Sequence, residues 1–245
     1  MGIKILYTPH AFSYLSAENK IKKNIFLLIE KAFTSNACTV LATSNSEKKR
    51  AIEEVGYKSQ NTIIFNNCIE PIRTIFPLTI KKTWPDEYIC TVGRPSYQKN
   101  IELMIKVMYE VKKVRKIHLV IMGVGPVSGQ LESVKNLIKE LNMSNDITLL
   151  NWTERTDVFN IINQSSFYIS TSRYEGMPYS IIESLALSKP CVASDCDGNR
   201  DLIKDGYNGF LIKSNNINLF KDKVIKLLDD KDLLEQFSQN AYQTF

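Results

Sequence analysis

Two carboxylates and two cations are spaced as though to handle a phosphorylated ligand rich in hydroxyls. Glu175 and Glu183 are separated by seven residues within the run 170–201, STSRYEGMPYSIIESLALSKPCVASDCDGNRD. An ionised carboxylate only accepts hydrogen bonds, so it can hold a vicinal diol by taking one bond from each hydroxyl. The amides of Tyr179, Ser180 and Ile181 open a helix between them, and unpaired amides at a helix N-terminus favour an anion such as phosphate. Phosphate at the helix end, with carboxylates for hydroxyls on either side, suits a nucleotide sugar. Read alone, both glutamates are better taken as two solvated surface charges. A second stretch, 93–100, reads GRPSYQKN. Gly93 lets the backbone turn tightly or approach a ligand, and Arg94 and Lys99 flank the loop. By themselves these too read as surface cations.

The elements that must position these groups follow from hydrophobic patterning. The apolar run 167–171 predicts a buried strand, and Pro178 suits the first turn of a helix. That helix runs through Ile181, Ile182, Leu185 and Ala186 and stops near Ser188, because Pro190 disfavours helix at Lys189. A second strand spans 191–193. Strand–loop–helix–strand is the unit of a parallel sheet with helices on its faces, whose ligands bind at the carboxyl ends of the strands. Upstream, 87–92 predicts a strand, with Asn100 capping a helix whose apolar positions include Ile101, Met104, Ile105, Met108 and Val111. Strand 118–122 ends in Gly123-Val124-Gly125-Pro126; helix 131–141 and strand 147–150 follow, the latter ending at Trp152, read either as a neighbour of a base edge or as core. A helix over 156–164, a strand over 210–212 and helices from 219 complete this part.

The N-terminal part predicts strands at 3–7, 40–42 and 62–65, and a helix capped by Ser46 and stopped by Gly56. Another helix spans 20–33, with an apolar stripe at 21, 25, 28, 29 and 32 and lysines on its other face. A solvated basic face is the reading taken; a surface touching anionic lipid is the alternative. Residues 68–85 contain Pro71, Pro77 and Pro85 without periodicity. The expected organisation is a partial N-terminal lobe (1–70), a linker (71–85) and a C-terminal lobe (86–245).

The 245 residues, 44% hydrophobic, can bury one large core or two small ones. A net charge of +5 without blocks of like charge argues against a nucleic-acid partner. No apolar run approaches the roughly 20 residues needed to span a bilayer. Five scattered cysteines read as reduced thiols, and cytoplasmic placement is expected, with peripheral membrane contact as an option.

The order EGMPYSIIESLALSKPCVAS resembles the E-x7-E segment of retaining family-four glycosyltransferases of the GT-B fold. Ser188 stands where that family usually has Gly or Ala, and Met177-Pro178 replaces the commoner Phe-Gly. The 93–100 stretch resembles the family's G-R-x4-K-N segment, and Gly123 to Pro126 its G-x-G-P turn. The resemblance implies an α/β fold of GT-B type: a complete C-terminal Rossmann-like, doubly wound parallel sheet plus a partial N-terminal Rossmann-like lobe. It implies that Glu175 lies against the transferred sugar and Glu183 holds the ribose hydroxyls. It also implies that Arg94 and Lys99 grip the donor diphosphate, and that Gly93, Gly125, Trp152, Tyr179, Ser180 and Ile181 line the donor. His10, in TPHAFSY, resembles a T-x-H segment facing the donor sugar; a plain loop histidine is the alternative. Asp197 and Asp201 align with the D-x-G-G-x-x-E segment, so the Asp195-Cys196-Asp197 triplet is not read as a metal–diphosphate site.

The implied activity is sugar transfer from a UDP- or GDP-sugar to a hydroxyl of a glycan or lipid-linked acceptor, with retention, without cofactor or metal, in polysaccharide or glycoconjugate synthesis. The family's opening strands have no counterpart here. Two further readings therefore stay open: a non-catalytic chain that binds nucleotide sugar, or one that needs a partner supplying the missing N-terminal lobe. A GT-B sugar-nucleotide epimerase is disfavoured by the E-x7-E segment.

Overall fold

The computed structural model describes residues 4–35, 37–125, 128–213 and 215–245, so Met1, Ile3 and Pro126 lie outside the described residues. The chain divides into two compact units, each built on a parallel sheet. One takes in 1–68 with 174–179 and 196–202; the other takes in 69–173, 180–195 and 203–245. Among the described residues no helix is long and apolar enough to cross a membrane. All five cysteines are free thiols, four buried and Cys68 exposed.

The first unit has three parallel strands, β1 (Ile5–Tyr7), β2 (Cys38–Ala42) and β3 (Thr62–Ile64), in that order across the sheet. Helix α1 (Lys20–Ala32) joins β1 to β2, and α2 (Asn45–Arg50) continues through a π turn (Ala51–Val55) into left-handed Gly56. The helix cap is Ser44, not Ser46: its side chain accepts from the Glu47 N–H at 3.1 Å. With Ser44 in place, Glu47 falls three residues into the helix, where an acidic side chain can turn back toward the entering chain. It accepts from the Thr43 N–H and hydroxyl at 2.6 and 2.8 Å.

The apolar stripe of α1 does not enter this core. Ile21 is 75% and Leu28 65% exposed, while Glu30 is the buried residue of the helix. The inward side is set instead by Lys23, Leu27 and Glu30, one helical face at three- and four-residue spacing. Glu30 accepts from the Ser13 hydroxyl at 2.7 Å and the Tyr7 hydroxyl at 3.2 Å, a polar latch that fixes the rotation of the helix. Ile5, Leu6, Ile25, Ile29 and Phe33 are left exposed with the stripe.

The second unit has six parallel strands in the order β6-β5-β4-β7-β8-β9. They are β4 (Tyr88–Val92), β5 (His118–Met122), β6 (Ile147–Leu149), β7 (Tyr168–Ser170), β8 (Cys191–Ser194) and β9 (Gly209–Ile212). The intervening helices are α3 (Ile101–Lys112), α4 (Leu131–Glu140), α5 (Arg155–Gln164) and α6 (Tyr179–Ala186). Short α7 (Asn199–Leu202) belongs to the first unit, and α8 (Ile217–Asp229) and α9 (Lys231–Thr244) end the chain. This strand order is that of a doubly wound dinucleotide-type sheet, and its direction reverses between β4 and β7. The core of the unit is apolar, with Ile89, Ile105, Ile121, Val192, Phe220 and Phe237 among its buried side chains.

Residues 69–85 carry no helix or strand but are tied to α5. Asp157, fully buried, accepts from the Thr79 N–H at 2.8 Å and its hydroxyl at 2.6 Å, and Asn160 donates to the Phe76 carbonyl.

Candidate functional site

The reversal point of the sheet is held open by its own strands. β4 and β7 share one register pair, Cys90 with Tyr168. The Tyr168 hydroxyl then reaches past the ladder, accepting from the Val92 N–H at 3.0 Å. The chains leaving the two strands are laced to each other. Thr171 donates from its hydroxyl to the Asn100 carbonyl at 3.0 Å, and the Arg173 N–H donates to the Gln98 carbonyl at 2.8 Å. The 93–100 stretch therefore sits in the crevice outside the carboxyl ends of the strands, where ligands of such sheets bind.

Within that stretch Gly93 is bonded through its N–H to the Met122 carbonyl at 2.9 Å. A Cβ there would come within 3.1 Å of the Lys99 side chain, so the glycine makes room for the lysine stem to lie across it. Arg94 is exposed. Asn100 precedes α3 but does not cap it as expected: it is left-handed, with φ 51°, and its side chain makes no capping bond. A left-handed backbone turns the side chain away from the first helical amides; asparagine is one of the few residues that tolerates it. Its buried Nδ2 has no hydrogen-bond partner among the described residues.

The turns after β5 and β6 are tied by the Val124 N–H to the Leu150 carbonyl at 2.9 Å. Gly125 and Trp152 meet there. A Cβ on Gly125 would fall 1.8 Å from the indole Nε1, so only glycine leaves the ring its place. Trp152 is 75% exposed and is therefore not a core residue.

Ser180, Ile181 and Glu183 lie in the second unit on α6. Glu183 is 8% exposed, and Arg155 at the start of α5 donates to it at 3.0 Å. Burial pushes the Glu183 carboxyl above its usual range, and the Arg155 charge and hydrogen bond pull it part of the way back. The helix ends in a tight C-terminal turn. The Lys189 N–H bonds the Ser184 carbonyl at 2.8 Å and the Ser188 N–H the Leu185 carbonyl at 2.9 Å, with Ser188 left-handed at φ 58°.

Tyr179, Glu175 and His10 belong to the first unit. Tyr179 is 48% exposed and Glu175 is 6% exposed. Gly176 packs against the His10–Ala11 backbone, where an added Cβ would meet both within 3.1 Å, and against the Thr43 hydroxyl. His10 and Ala11 are both left-handed, at φ 48° and 79°. Glu47 holds this bend by accepting from the Ala11 N–H at 2.6 Å. The first unit thus brings His10 next to the loop carrying Glu175. Asp197 is engaged by Arg50 and, at 3.1 Å, by Arg200, while Asp201 accepts from the Gly198 and Ser46 amides. Among the described residues no group of three or more His, Cys, Asp or Glu could hold a metal ion.

The reading of the sequence missed Arg155 and the Glu47 latch. Neither carries a local signal: Arg155 lies 28 residues from Glu183, and Glu47 lies 36 from Ala11.

A doubly wound sheet with a Gly-Arg loop at its reversal point and a buried carboxylate on a following helix defines a nucleotide-type α/β lobe. Residues 79–244 match the family of glycosyl transferases group 1, and the chain belongs to that family. It is 26% identical over 250 residues to an Escherichia coli UDP-Gal:alpha-D-GlcNAc-diphosphoundecaprenol alpha-1,3-galactosyltransferase, an alignment covering 97% of this chain and 63% of that protein. It is 32% identical over 152 residues to a Staphylococcus aureus poly(ribitol-phosphate) alpha-N-acetylglucosaminyltransferase, covering 61% of this chain and 30% of the other. Among solved structures, sucrose-phosphate synthase from Thermosynechococcus elongatus superposes with a TM-score of 0.83 at 19% identity, over 98% of this chain and 62% of that one. Anabaena HepE in complex with UDP-glucose gives 0.76 at 19% identity, over 98% and 66%. The α/β GT-B fold expected from the sequence is thereby shown. The chain spans 63% of the length of the E. coli relative.

Proposed function

We propose that this chain binds a nucleotide sugar, UDP- or GDP-linked, and transfers its sugar with retention to a hydroxyl of a glycan or lipid-linked acceptor in glycoconjugate synthesis. The observation that carries the proposal is the 93–100 stretch at the reversal point of the sheet, with its cations, in the same unit as buried Glu183. Arg94, Lys99 and the first amides of α6 supply the positive charge that a departing diphosphate needs, and such charge-assisted bonds strengthen as charge develops on it. In this reading Gly93 and Gly125 seat the Lys99 stem and the Trp152 ring beside the donor, and Trp152 borders the base. Tyr179, Ser180 and Ile181 offer the helix N-terminus to phosphate. Glu183 takes the ribose hydroxyls, Glu175 positions the transferred sugar, and His10 bonds the sugar or its phosphate. No residue is assigned as a nucleophile, and the charge supplied by the protein makes transfer independent of a metal.

The test is a turnover assay. Release of nucleoside diphosphate from a UDP- or GDP-sugar is followed with and without chelator, and the product's anomeric configuration is read by NMR. Retained configuration with undiminished turnover in chelator is the expected result. Inverted product, or turnover abolished by chelator, contradicts it.

A second reading is supported by the exposure of Ile21, Leu28 and Phe33 in the first unit. Here the chain binds nucleotide sugar but transfers it only when another polypeptide covers that face. Donor binding without turnover, with turnover restored by such a partner, distinguishes it.

A further inference from the structure

Arg155 is the first residue of α5, and its guanidinium lies 3.0 Å from the Glu183 carboxylate. It is also seated against Phe159, one turn along the same helix, with 5.1 Å between guanidinium carbon and ring centre. The pair is asymmetric: the Arg155 side chain is 64% exposed and that of Glu183 only 11%. Arg155 donates to the Glu183 carboxylate, whereas the Leu187 N–H donates to the Glu183 backbone carbonyl. A guanidinium stays charged at any working pH and presents its donors in a rigid plane, so it claims one carboxylate oxygen in a fixed direction.

Arg155 is the one charged group whose field on Glu183 is resolved among the described residues. Asp157, also on α5, accepts from Thr79. Burial lowers the Lys189 ammonium, just beyond α6, and Cys90 and Glu235 offset part of that. Helix α6 has no acidic residue in its first turn and no basic residue in its last. Burial alone favours the neutral form of Glu183, and Arg155 opposes it.

We propose that Arg155 is a positioning residue for donor binding: it compensates the buried charge of Glu183 and fixes one of its oxygens, so that the carboxylate meets the donor's hydroxyls as an acceptor in a set orientation. The proposal rests on the reading of Glu183 as the acceptor for those hydroxyls.

Two measurements test it. On ligand-free protein, carbon-13 NMR of glutamate carboxyls follows the titration of Glu183 in wild type, Arg155→Gln and Arg155→Lys, with Glu183→Gln identifying the signal. Arg155→Gln raises the midpoint by about one pH unit, and Arg155→Lys restores most of the difference. Calorimetry then measures the affinity for UDP and for GDP at pH values on both sides of the NMR midpoints. The acid-side loss of affinity moves upward by the same amount in Arg155→Gln, weakening binding about tenfold near the midpoint, and returns in Arg155→Lys. An unmoved Glu183 midpoint in Arg155→Gln overturns the proposal. A uniform loss of affinity at every pH also overturns it, because that marks a merely structural or phosphate-contacting role. If folded wild type binds neither nucleotide, the reading of Glu183 falls and the proposal falls with it. The midpoint then still reports whether the two side chains are coupled, so the two failures are told apart.

Discussion

The indole of Trp152 occupies the space a side chain on Gly125 would need: an added Cβ would lie 1.8 Å from its Nε1. The turn after β5 and the chain after β6 are therefore matched as a pair. Gly125→Ala expels the ring from its seat, and because Trp152 is 75% exposed the fold survives the change. The expected result is donor affinity reduced about tenfold, in line with the loss of one aromatic stacking surface. Trp152→Ala gives a similar loss. Trp84 is buried, so the red-edge tryptophan fluorescence belongs to Trp152 and reports its displacement directly.

Ser188 closes α6 in a left-handed conformation, φ 58°, which glycine adopts without the cost a Cβ imposes. Ser188→Gly stabilises the protein by about 1 kcal/mol, read as a rise of about 2–4 °C in melting temperature for a chain of this size. An unchanged or lower melting temperature contradicts the strain assigned to this turn.

Gly198 is also left-handed, φ 77°, and a Cβ there would come within 2.4 Å of the Gly176 carbonyl oxygen, a backbone atom that cannot swing aside. Both residues lie in the first unit, on the loops at 174–179 and 196–202. Gly198→Ala costs about 2–4 kcal/mol from the conformation and the clash together. Denaturant unfolding followed by circular dichroism measures it.

Glu183 sets binding against stability. Its folded-state pKa is raised by burial, so its contribution favours the fold below the ordinary carboxylate range and is lost as pH rises through the raised value. Glu183→Gln therefore melts higher than wild type at pH 7, and the gain disappears as the pH falls below that range. Arg155 is largely exposed, so leaving it unpaired offsets little of the gain.

Most of the second unit was legible because its strands are apolar runs and its helices periodic, signals carried within a few residues of one another. The Glu175–Glu183 and Gly93–Lys99 stretches stand out as candidate chemistry for the same reason. What escaped the sequence depended on distant partners. The rotation of α1 is decided by Glu30 bonding Ser13 and Tyr7, so an apolar stripe that should face inward does not. By residue type Asn100 is a cap, but its backbone is left-handed and its side chain makes no capping bond. Ser44 and Ser46 are equally good caps by type; the Glu47 bond to Thr43 and Ala11 selects Ser44. Likewise the loops 174–179 and 196–202 group with the first unit, a division no linear boundary expresses.

The most direct test of the central claim is calorimetric titration of UDP-, GDP- and ADP-sugars into wild type and Glu183→Ala. The account predicts saturable binding of one UDP- or GDP-sugar to wild type, persisting in chelator and lost in a folded Glu183→Ala variant. Binding that survives the substitution unchanged, or a folded wild type that binds none of the sugars, contradicts it.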